Sequence, residues 1–191
     1  MPNSATIRQP FGESGITQLP LTTLGLGAAA TGVTAVEYGD GINHKTVLTV
    51  SSALPAIAGG AALGVGKLLY TLPAGAHAIQ VSYMSMALTA LDGNIDADTP
   101  DVGIGTVIAS GVVATLDGTA TFENLITGQT ATNCTGTATV KTAGPTAGTP
   151  LEIASAAAHT VYFNVADTWA ASGEAACPIT GTVVIEWTNL A

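Results

Sequence analysis

The clearest alternation of apolar and polar positions lies near the C-terminal end of the chain. Over residues 179–190, Ile179, Val183, Ile185 and Trp187 fall on one side, with Gly181 among them, while Thr180, Thr182, Glu186 and Thr188 fall mostly opposite. A period of two is what a strand with one buried face requires, so this segment predicts a half-buried strand. Residues 159–165 repeat the pattern, with Val161, Phe163 and Val165 inward and Thr160 and Asn164 outward. Residues 79–91 are longer and change phase: Ile79, Val81 and Tyr83 share one face, Met84, Met86 and Leu88 the other. Either a bulge in mid-strand or burial of both faces produces such a switch.

Shorter runs at residues 45–52, 67–72, 102–109, 112–116, 120–124, 135–141 and 151–153 are further strand candidates. Pro73-Ala74-Gly75, Asp92-Gly93, Asp117-Gly118 and Gly144-Pro145 punctuate the gaps between them. Short strands at this spacing predict an all-β fold: an antiparallel sandwich, jelly-roll-like, or a related barrel. Ala-rich pieces at residues 53–62 and 155–158 predict only short helical turns, because Gly and Pro interrupt them.

Residues 1–44 have a different texture. Ile7, Phe11, Ile16, Leu19, Leu21, Leu24 and Leu26 follow neither period, and Gly25, Gly27 and Gly32 oppose a helix. This part predicts an extended N-terminal arm, with residues 45–191 forming the β-rich module. The arm holds too many Leu and Ile for a solvated tail, so those seven residues are the expected contacts with a neighbour.

Charge sharpens the picture. The 191 residues include 4 Lys and Arg against 13 Asp and Glu, only 9% charged, while 47% are apolar. A soluble domain ordinarily devotes about a quarter of its residues to charge, so this surface must be largely Thr, Ser, Ala and Gly, which suits a chain packed against other protein. Four dispersed cations cannot release the counterions that nucleic-acid binding requires, nor hold an anionic membrane surface. The charge-free stretches are broken by Pro, Gly, Ser and Thr well short of a membrane span. The first residues lack the apolar block of a signal peptide, so synthesis in the cytoplasm is expected.

Candidate chemistry is sparse. Residues 92–101 place oxygen side chains at alternating positions, as a calcium loop does. Ala97 sits where the tight-turn Gly belongs, however, and Gly103 sits where the closing Glu belongs. A solvated acidic turn is the expectation, with no tight calcium. His44, close to Asp40, invites an acid–base reading, yet no Ser or Cys stands in a nucleophile context. Cys134 and Cys177 share no metal-like spacing with His44, His77 and His159, and predict two small buried thiols. No cofactor and no enzymatic activity are expected. Trp169 and Tyr162 are the candidates for an exposed platform that stacks on sugar, while Trp187 belongs in the core.

Four phrases carry a resemblance. They are residues 99–106 (TPDVGIGT), 118–131 (GTATFENLITGQTA), 159–169 (HTVYFNVADTW) and 181–187 (GTVVIEW). Together they resemble the head decoration, or cement, proteins of tailed bacteriophages, especially marine ones, over roughly residues 65–190. The resemblance implies a non-enzymatic β module on the outer surface of the virion capsid. Such a module is usually a homotrimer bound to the major capsid protein, and the family brings no catalytic residues. The alternative is a carbohydrate-binding or adhesive β module of a phage fibre or bacterial surface.

Overall fold

The computed structural model describes residues 27–39, 42–116, 120–135, 140–142, 151–153 and 156–189. The alternation at the C-terminal end becomes β11 (Cys177–Asn189), the middle of one sheet. Ile179, Val183, Ile185 and Trp187 are all buried, as the pattern predicts. β11 pairs antiparallel along its length with β3 (Asn43–Leu54) on one side and β5 (Ala76–Leu88) on the other. β2 (Val33–Gly39) extends this sheet beyond β3, while β8 (Val140–Thr142) and β9 (Leu151–Glu152) both pair with β5.

The second sheet is centred on β10 (His159–Ala166), flanked by β4 (Val65–Leu72) and β6 (Asp101–Gly105), with β1 (Ala28–Ala29) and β7 (Ile126–Thr130) at its edges. Among the described residues there is no α-helix, only a 3-10 turn at Ala120–Phe122.

The pairings are nested: β3 with β11, β4 with β10, β5 with β8, and β6 with β7. An antiparallel ribbon folded over on itself produces this order, which is the winding of a jelly roll. Strands consecutive in sequence therefore often lie in opposite sheets. The turn at Pro73-Ala74-Gly75 carries the chain from β4 in one sheet to β5 in the other and is not a hairpin. Phe163, Val161, Ile104 and Leu72 from one sheet meet Trp187, Val183, Leu48 and Met84 from the other in a single core.

The phase change along β5 has a local cause. Val184 lies opposite Tyr83 and Ile185 opposite Val81, which leaves Ser82 as an extra residue. This bulge turns Met84, Met86 and Leu88 inward after Ile79 and Val81, and puts Tyr83 on the outside.

Several expectations need correction. Residues 28–39 and 43–44 belong to the sheets and not to an arm. β1 and β2 complete the edges of the two sheets, and β3 begins at Asn43. Val33 and Glu37 are buried while Ala35 and Val36 are exposed, an uneven pattern typical of an edge strand and easily taken for irregular sequence. Residues 1–26, with Ile7, Phe11, Ile16, Leu19, Leu21, Leu24 and Leu26, lie outside the described residues, as do the turns at Asp117-Gly118 and Gly144-Pro145.

Residues 53–62 form no helical turn. They finish β3 and continue as a loop held by isolated bridges from Ile57 to Glu174 and from Ala62 to Thr168. Residues 112–116 are loop, and residues 120–124 hold the 3-10 turn, whereas β7 went unpredicted.

Candidate functional site

His44 sits where β2 and β3 meet, and its chemistry differs from the sequence expectation. Its partner is Glu37: Nδ1 lies 2.6 Å from Glu37 Oε1 in a buried pair. His44 and Trp187 are directly opposite in the β3–β11 register, and their rings stack with centroids 4.1 Å apart and planes 14° from parallel. Trp187 Nε1 donates to Thr46 Oγ1 at 3.0 Å. Tyr70 reaches across from the other sheet and donates its hydroxyl to Glu37 Oε2 at 3.3 Å.

Burial, and then the negative charge of Glu37, push the Tyr70 phenol up to about 12. The cluster thus joins the two sheets through a carboxylate that a histidine and a phenol both satisfy, which is what a buried charge requires. Acid–base catalysis needs more. The His44 Nε2, which would accept a nucleophile's proton, is buried and has no partner among the described residues. The other two histidines, His77 and His159, lie at the starts of β5 and β10.

The acidic loop at residues 92–101 is largely exposed, as expected, and several of its carboxylates also accept backbone N–H groups from elsewhere. Asp92 Oδ2 takes Ala175 N at 3.0 Å, and Asp98 Oδ2 takes Ala170 N at 2.9 Å. Asp101 takes the Thr130 hydroxyl at 2.8 Å and Leu116 N at 3.3 Å. Glu174, buried, caps the start of the loop by accepting Leu91 N and Asp92 N. Burial, followed by the charges of Asp98 and Asp101, pushes the Asp167 carboxyl above the usual carboxylate range. Dispersed into these separate tasks, the carboxylates do not converge, and no group of three or more His, Cys, Asp or Glu suited to a metal occurs among the described residues.

Cys134 and Cys177 are buried free thiols. Burial pushes Cys134 up to about 12 and Cys177 up to about 11. The chain at Thr89 and Ala90 runs between them, donating to the Pro178 and Cys134 carbonyls. Two strand spacings, about 9–10 Å, therefore separate their backbones, beyond the reach of a disulfide.

Trp169 does not form an exposed platform: it is 2% exposed and donates Nε1 to the Leu63 carbonyl at 2.7 Å. Tyr162 is half-buried. Sequence reasoning missed a shallow cavity of about 310 Å³ beside the His44–Trp187 pair, lined among others by Tyr38, Lys45, Gln80 and Glu186. It escaped notice because its residues come from four strands far apart in sequence. Only the alternating phase of β11, which puts Glu186 outward, hinted at it.

Among the described residues, no helix is long and apolar enough to cross a membrane. Comparisons with protein-family models, with curated proteins and with solved structures found no match.

Proposed function

We propose that this chain is a non-enzymatic virion structural protein that decorates and cements the outer capsid. In this reading it binds the major capsid protein as a homo-oligomer, most simply a trimer. The observation that carries the reading is the scarcity of charge on a fold whose outer surface is well populated with uncharged side chains. Only 9% of residues are charged, and Val112, Leu91, Ile42 and Val36 stand exposed at 89%, 63%, 53% and 45%. Such a surface gains from contact with other protein, whereas a freely diffusing enzyme needs more charge to stay dispersed. A jelly roll also occurs in viral capsid domains, which is an analogy of architecture and not of function.

The apolar residues 1–26 supply the expected contact with the capsid. Removing them is a cleaner test than removing residues 1–44, because β1 and β2 belong to the sheets. The full chain and a chain lacking residues 1–26 are each added to undecorated capsids, and occupancy is measured by electron microscopy. The full chain decorates and the shortened one, still folded by circular dichroism, decorates weakly. A full chain that leaves capsids bare overturns the proposal, and full occupancy by the shortened chain overturns the role of the segment.

A further inference from the structure

The outer face of the β2-β3-β11-β5 sheet carries a groove, and the geometry points to a binding site for a neutral oligosaccharide. The inference does not depend on the capsid reading.

The groove follows from register. Tyr38 lies opposite Lys45, Lys45 opposite Glu186, and Glu186 opposite Gln80, so these four side chains form one row across four strands. Glu37 beside Tyr38 and Trp187 beside Glu186 point into the core, which sends this row outward. The neighbouring row contains Thr188 and, opposite it, Ala78. Their short side chains leave a trough beside the longer row, and the cavity of about 310 Å³ lies there. Gly39 closes one end of it, where the backbone approaches the Asn43 carbonyl so closely that a Cβ would overlap it. Four strands at about 4.8 Å spacing give a row about 14 Å long, the length of a short oligosaccharide.

The polar groups suit hydroxyls. Gln80 Nε2 donates to Glu186 Oε2 at 2.7 Å, and Lys45 Nζ lies 3.9 Å from Glu186 Oε1. The Gln80 hydrogen bond orients the carboxylate and the amide, with the Lys45 ammonium close by. These contacts leave lone pairs on Glu186, an amide oxygen on Gln80 and ammonium protons on Lys45 for a ligand. The Lys45 and Glu186 side chains remain 50% and 36% exposed.

A sugar hydroxyl both donates and accepts, so it satisfies such a mixed set, while the Tyr38 ring can meet the C–H face of a pyranose. Lys45 and Glu186 cancel in charge, and Glu152, opposite Ala78 on β9, adds a negative charge at the rim. An anionic ligand is therefore disfavoured.

The test is an NMR titration of the isotope-labelled full chain with maltose, cellobiose and diacetylchitobiose, with glucuronate as the charged control. At least one neutral disaccharide shifts residues 38, 45, 78–80 and 186–188 saturably, with a Kd on the order of 1 mM. Glu186→Gln and Tyr38→Ala each weaken that binding by about tenfold or more, a difference of about 1.4 kcal/mol. Their spectra away from the groove stay unchanged, which shows that they fold. The absence of saturable shifts with all three disaccharides overturns the inference, as do shifts centred elsewhere. Glucuronate binding as tightly as the best disaccharide overturns the assignment of a neutral ligand.

Discussion

The two sheets share a core but treat their outer faces in opposite ways. The outer face of the sheet centred on β11 is open. Its rows read Thr34, Thr49, Thr182 and Ser85, then Val36, Val47, Val184 and Tyr83, all exposed or half-buried. The outer face of the sheet centred on β10 is sealed by a covering segment, residues 106–116 and 120–125. Gly66, Gly103 and Gly105 point outward there yet are buried. A Cβ on Gly105 would overlap the Phe122 and Thr121 carbonyls, so only glycine lets the segment lie against β6.

Asn164, expected to face water, is fully buried under the same segment. It accepts Ala109 N at 2.8 Å and donates to the Val107 and Phe122 carbonyls at 2.9 and 2.7 Å. The covering residues are thus tied down by the Asn164 amide, together with Leu116 N on Asp101 and Leu125 N on the Ile104 carbonyl, while the rows on the other face stay exposed or half-buried. A polar position in a strand marks solvent only if nothing else folds over it.

This contrast can be broken most sharply at Asn164. Asn164→Leu leaves three backbone groups of the covering segment without a partner. At about 1–3 kcal/mol for each buried group left unsatisfied, some relieved by relaxation, it costs about 3–5 kcal/mol in urea unfolding. Proteolytic cleavage between residues 106 and 116 should appear at the same time. A loss below about 1 kcal/mol would show that the segment is held by other means.

Alkali attacks the seam between the sheets and neither outer face. Cys134 and Cys177 are raised from 9.0 to about 12 and about 11, and Tyr70 from 10.0 to about 12, in each case chiefly by burial. All three hold their protons more tightly folded than unfolded, so above about pH 9 the unfolded chain binds fewer protons and stability falls as pH rises. That contribution is complete below pH 9 and is lost progressively towards pH 12. Urea midpoints measured from pH 8 to pH 11 should decline, and the decline should be shallower in Cys134→Ala. A midpoint flat across that range would mean that these groups are not desolvated as the fold places them.

The smallest effect is expected on the open face. Thr182→Ala removes a half-buried hydroxyl from a row that touches mainly water and should change stability by no more than about 0.5 kcal/mol. A cost near that of Asn164→Leu would mean that something covers this face too, and the contrast between the faces would fail.

How much was legible follows the same division. In β11 and β10 the inward residues were read correctly, since one apolar and one polar face leave a period of two in the chain. The phase change at Ser82 was visible for the same reason. β2 reads as arm because an edge strand buries few of its side chains, and β7 gives no strand signal because Gly128 and its polar neighbours resemble a turn. The cluster at His44 was half legible: His44 stood out, but Asp40 looked like its partner because it is nearer in sequence than Glu37.

The sequence by itself determined that the chain is all-β, that β11, β10 and β5 supply the core, and that little charge reaches the surface. Those properties depend on periodicity and composition, which act between near neighbours. Only the tertiary structure decided the nesting of strands into a jelly roll, the burial of Asn164, the pairing of His44 with Glu37 and the row from Tyr38 to Gln80. Each of these joins residues distant in the chain, and a contact across two sheets or four strands leaves no local period to read.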